Sequence, residues 1–185
     1  RALKDSGCAV IVDDITYLTE TFFKDGVIAK AVDEVTAAGV SYFTSAGNFG
    51  AKSYESIFRQ TEITPAGFQG VAHDFGAGAS IPYQKIFLPK GSYTIALQWD
   101  DDFYSVENSA GAMNDLDIYL VDQFDRRLFG FNRNNLNGDP FELLPFVVTA
   151  DVEAKIIITR KSGTGNVRFK YVFFRGDGII KDAIS

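Results

Sequence analysis

The chain has 185 residues, with 18 Lys plus Arg against 24 Asp plus Glu and a formal net charge of −6; this length suits one large or two small domains. A pI of about 4.8 argues against a protein that tracks nucleic-acid phosphates, because that task needs clustered Lys and Arg. Hydrophobic content of 46% excludes a mainly disordered chain, one cysteine excludes an intramolecular disulfide framework, and no apolar run reaches the roughly 18 residues of a membrane helix.

The chain opens at Arg1-Ala2-Leu3-Lys4 with neither an initiator Met nor an apolar export segment, as expected of a piece of a longer polypeptide. Cys8 to Asp14 is a short apolar run ending in two carboxylates. It reads as a buried parallel strand with its C-terminal end at a functional edge, and Cys8 as a buried, inert thiol. Strand alternation sends Asp13 and Asp14 to opposite faces, which argues against an acid/base dyad. After Asp25-Gly26, Ile28, Ala31, Val32 and Val35 fall on one helical face, and Gly39 supplies a stop. Val40 to Thr44 is a second strand. Strand, helix and strand make a βαβ unit, and a lone one leaves a sheet face uncovered. Self-association through that open α/β edge is therefore expected.

Beyond Asn48 the pattern changes. Aromatic content of 14%, with 17 Phe, leans toward strands. Alternating segments follow one another at Pro82–Leu88, Tyr93–Trp99, Leu116–Val121, Arg127–Phe131, Glu142–Val148, Ala154–Thr159 and Val167–Phe174, with turn signals such as Asn137-Gly138-Asp139-Pro140 between them. The expected fold is an α/β fragment joined to an antiparallel β-sandwich of jelly-roll type. The boundaries read as 1–64 for the α/β part, 65–175 for the sandwich and 176–185 for a return segment.

Ala31-Val32-Asp33, Ala38-Gly39-Val40 and Ser45-Ala46-Gly47-Asn48 stand in an order and spacing that resembles the central stretch of a subtilisin-like serine peptidase (subtilase). The resemblance implies that Asn48 is an oxyanion-hole donor and that Ser45, Ala46 and Gly47 wall the pocket for the substrate side chain. A pre-aimed amide N–H stabilises the negative oxygen of a tetrahedral intermediate without reorganisation. His73-Asp74-Phe75, Leu97-Gln98-Trp99-Asp100, Asn114 to Leu120 and Gly138 to Glu142 in turn resemble the pre-peptidase C-terminal-like β-sandwich inserted in some large bacterial subtilases. Together these imply a secreted or cell-surface endopeptidase with a polypeptide substrate and no required cofactor. The family's His-Gly and Gly-Thr-Ser motifs are absent, so the chain alone is expected to be inactive.

Asp100-Asp101-Asp102 with Asp115 and Asp117 form a second constellation, in which Asp100, Asp102, Asp115 and Asp117 are the candidate calcium ligands. Calcium takes six to eight oxygen ligands, roughly, and clustered carboxylates suit it; a solvated acidic loop is the alternative. His73 beside Asp74 is a poor catalytic pair, since neighbours on a strand face opposite ways. A rival to the peptidase reading is a carbohydrate- or protein-binding sandwich, with Trp99, Phe103, Tyr104 and Phe124 as a stacking platform.

Overall fold

The computed structural model describes residues 1–107 and 109–181. The chain divides into two compact units, Arg1–Asn48 and a second that begins at Phe49.

The first unit runs α1 (Ala2–Asp5), β1 (Val10–Asp13), α2 (Val27–Ala37) and β2 (Ser41–Thr44). β1 and β2 pair in parallel, with Val10 opposite Ser41 and Asp13 opposite Thr44. Glu20 starts the helix: its carboxylate accepts the free N–H groups of Ile28 and Ala29, each at 3.0 Å. A side chain at Gly26 would meet that carboxylate at under 3 Å, so Glu20 would have to swing away from the helix start to make room. Gly39, at φ +88°, then turns the chain into β2. Val35 packs with Ile11 and Val40, and Cys8 lies half-buried beside them. Cys8 is thus less enclosed than expected, because it precedes the strand. Alternation turns Val10, Val12 and Phe43 to the other face, where they are 56%, 72% and 60% exposed.

The second unit begins with a 3-10 turn (Gly50–Lys52) and continues as β3 (Ser53–Ile57), β4 (Val71–Ala72), β5 (Gln84–Leu88) and β6 (Gly91–Trp99). After the short α3 (Tyr104–Glu107) come β7 (Asp115–Val121), β8 (Arg127–Phe131), β9 (Phe141–Val148), β10 (Val152–Ser162), β11 (Arg168–Arg175) and β12 (Ile179–Ile180). One sheet has the order β12-β5-β10-β7-β8, with β4 also on β10; the other has the order β3-β11-β6-β9. All pairings within these two sheets are antiparallel.

Period-2 alternation builds the core from both sheets. Ile86, Leu88, Leu116, Ile118, Leu120, Ile156 and Ile158 face inward from the first sheet. Ile95, Leu97, Trp99, Leu144, Phe146, Phe169, Tyr171 and Phe173 meet them from the second. The outer side of the first sheet is covered locally as well, where Phe68 lies edge-on to Tyr119 with ring centroids 4.8 Å apart. β9 is a free edge, and Pro145 stands exposed in it.

Each alternating segment read from the sequence is a strand, but the unit boundaries differ from 64/65 and 175/176. β3 pairs with β11, Tyr54 opposite Tyr171, so residues 53–57 belong to the sandwich. β12 pairs with β5, Ile180 opposite Ile86, so the proposed return segment is sandwich too as far as Lys181. Residues 182–185 of that segment lie outside the described residues. The Pro- and Gly-containing stretch Ile63 to Gly67 is a loop within the second unit, not a linker.

Candidate functional site

β2 delivers Ser45, Ala46, Gly47 and Asn48 at the C-terminal end of a parallel strand, the edge where open α/β sheets carry their ligands. Gly47 takes φ +69°, a left-handed conformation that glycine adopts without strain. The Ser45 hydroxyl donates to Asp14 Oδ1 at 2.6 Å, which ties this turn to the end of β1. Asn48 and its three neighbours are exposed.

Asp13 and Asp14 serve different partners. Asp13 accepts from the Tyr42 phenol and, at 2.5 Å, from the Thr44 hydroxyl. These bonds hold the Asp13 carboxyl below its usual range, Thr44 contributing more than Tyr42. Asp13 in turn pushes the Tyr42 phenol up to about 12. The edge of the two strands is therefore a braced platform.

His73 is not placed for catalysis. It has no solvent exposure. Its Nδ1 accepts the Arg59 backbone N–H at 3.1 Å, and Nε2 lies 3.1 Å from the Tyr54 hydroxyl. An Nδ1 that accepts must be bare, so the proton of the neutral ring sits on Nε2 and points at Tyr54. Phe75 and Phe169 stand edge-on to the ring, with centroids 4.7 and 4.8 Å away. Desolvation inside this aromatic box drives the imidazole down to about 3. Asp74 turns elsewhere, accepting the backbone N–H groups of Gly76, Gly78 and Ile81 at 2.7 to 2.9 Å.

The four aspartates expected for calcium are not brought together. Asp100 and Asp102 are exposed on the loop after β6, whereas Asp115 and Asp117 are buried on one side of β7. Among the described residues, no three His, Cys, Asp or Glu side chains are placed to hold a metal ion. The organising aspartate of the loop is Asp101, which the sequence marks only as a member of the acidic run and not as a ligand. Its Oδ2 accepts the backbone N–H groups of Met113 and Asn114 at 3.0 and 2.7 Å. Asp115 accepts the Asn135 N–H at 3.1 Å, and Tyr119 donates to Asp117 Oδ2 at 2.9 Å. Burial, with Asp115 nearby, raises the Asp117 carboxyl to about 6.

The stacking platform does not form either. Trp99 and Phe103 are core residues, and only Tyr104 and Phe124 of the four are exposed. Trp99 shares its strand face with Ile95 and Leu97, which takes it into the core. A different feature could take a ligand: a cavity of about 310 Å³ lies between Leu128 and Phe129 of β8 and Val147 and Val148 of β9, with Leu88 and Leu120 also lining it. No helix among the described residues is long and apolar enough to cross a membrane.

Compared with known proteins, the chain matches no family model and no curated protein sequence.

Proposed function

We propose that the chain is part of a subtilisin-like serine endopeptidase, secreted or cell-surface, in which the first unit supplies the oxyanion donor Asn48 and the sandwich is an accessory domain. The observation that carries this reading is the small-small-Gly-Asn turn at the C-terminal end of a parallel strand, with Gly47 in the left-handed conformation. There the Asn48 amide would meet the developing oxyanion, and Ser45, Ala46 and Gly47 would line the groove for a polypeptide side chain. The nucleophile and base would come from elsewhere in the polypeptide, so the chain by itself hydrolyses nothing.

The test uses the whole product of the encoding gene. Asn48→Ala should lower kcat on a peptide by roughly 10²–10³ with little change in KM, a magnitude established for subtilisin itself rather than derived from this chain. An unchanged kcat, or a gene product that a serine-directed fluorophosphonate fails to label, overturns the reading.

The apolar cavity between β8 and β9 favours a second reading, a sandwich that binds a peptide or glycan. Under it the chain alone would bind such a ligand, and Leu128→Asp would abolish binding.

A further inference from the structure

Glu142 is the second residue of β9 and faces inward, with Leu144, Phe146 and Val148 following it on the core face. It has no solvent exposure, and neither carboxylate oxygen makes a well-formed hydrogen bond, the Arg133 backbone N–H giving its charged form only weak support. The charged groups that face it are Asp117 and Asp115 from β7 and Arg133 from the segment after β8. From β6 Leu97 stands opposite it in register, and Trp99, two residues further along the same core-facing side, is fully buried with an unpartnered indole N–H. Two acids and one base therefore confront an acid sealed in the interior.

The neighbouring segment meets β7 through Asn135, while Asn137 and Gly138 are held separately by backbone bonds with Ala112 and Asp139 by Ser105. Asn135 donates its backbone N–H to Asp115 Oδ1 at 3.1 Å, and its side-chain amide donates to the carbonyls of Asp139 and Phe141 at 2.7 and 3.1 Å. Phe141 immediately precedes Glu142. An ionised carboxylate without partners is far more costly to bury than a neutral acid. Hydrating Glu142 would require lifting the start of β9, and Asn135 moves with it.

We propose that Glu142 is a proton-held latch: as a neutral acid it stays inside the sandwich, and on ionising it releases Asn135 from β7. Burial first, then Asp117 and Asp115, pushes its carboxyl up to about 9, with Arg133 offsetting part of the rise. The folded state thus keeps a proton that the unfolded chain gives up near the ordinary value of 4.5. The stability from that neutral acid is complete at low pH and is lost as pH rises through this window. Above pH 7 Asp117 is already ionised in both states, so Glu142 is the group that changes.

The experiment is chemical unfolding of the full chain at pH 7, 8 and 9, wild type against Glu142→Gln, with amide exchange at Asn135 corrected for its intrinsic pH dependence. The wild-type folding constant should fall by up to about tenfold per pH unit, with Asn135 losing protection, while the variant stays level. In the wild-type chain labelled with ¹³C at glutamate carboxyls, one resonance should titrate near 9, a readout that stands even if the variant does not fold. Equal pH slopes, no carboxyl titrating above pH 7, or a slope without exposure of Asn135 each overturn the latch. So does a rise in wild-type stability with millimolar Ca²⁺ that Glu142→Gln abolishes, since the acid would then be a cation ligand.

Discussion

Tyr171 and Gln84 are joined across the sandwich: the phenol of β11 donates to Gln84 Oε1 of β5, linking the two sheets through their shared interior. Both are buried, and burial holds the Tyr171 phenol well above its usual range. Removing one partner leaves a desolvated polar atom, whereas removing both leaves an apolar contact. Tyr171→Phe should therefore destabilise the chain by about 1–3 kcal/mol, and adding Gln84→Leu should recover part of that loss. Urea unfolding of the two variants checks this. Additive losses would mean the bond contributes nothing.

Stability should also depend on pH through His73. Its folded-state value, about 3, lies below the ordinary 6.5, so the unfolded chain takes up a proton that the folded one refuses. Stability from the neutral ring is present above pH 6.5 and declines as pH falls toward 3, by up to about tenfold in the folding constant per unit. Comparing the slopes of wild type and His73→Phe between pH 6.5 and 4.5 isolates this contribution. Parallel slopes would show that the ring already carries its proton in the folded state.

The unit boundaries carry a third prediction. A piece spanning 49–181 retains β3 and β12 and should unfold in one cooperative transition. A piece spanning 66–175 loses both, together with Tyr54, which stacks on Tyr171 at a centroid distance of 5.7 Å, and Phe58, which packs in the core. Calorimetry should show a lower or absent transition for the shorter piece. Equal melting of the two would restore the boundary near residue 65.

The strands were legible where burial imposes alternation. Arg127–Phe131 is read from the sequence with the bounds it has in the structure, and the Tyr93–Trp99 segment differs by two residues at its start. β3 escaped because Ser53-Tyr54-Glu55-Ser56-Ile57 is a polar edge strand, exposed enough that apolar periodicity does not mark it. β4 and β12 are two residues each, too short for any period to register. The turn at Ser45 to Asn48 is marked in the sequence by its small residues and glycine, and Gly47 does take the left-handed conformation there. The aspartate cluster misled, since nearness in sequence at 100–102 does not decide which carboxylate turns inward, and only Asp101 does. Glu142 was findable. Its parity with Leu144, Phe146 and Val148 puts a carboxyl on the core side, an inconsistency that the alternation itself exposes.

Pro145 gives β9 a further property. Its register opposite Thr94 leaves no N–H on β9 at that position for a visiting strand to engage. The four-stranded sheet is thereby stoppered at one margin, and β12 at one margin of the larger sheet offers a two-residue template. Both margins are poor templates for edge-to-edge pairing with another copy. At β9 a single imino acid thus acts as a gatekeeper, leaving β3 and β8 as the five-residue margins of the two sheets.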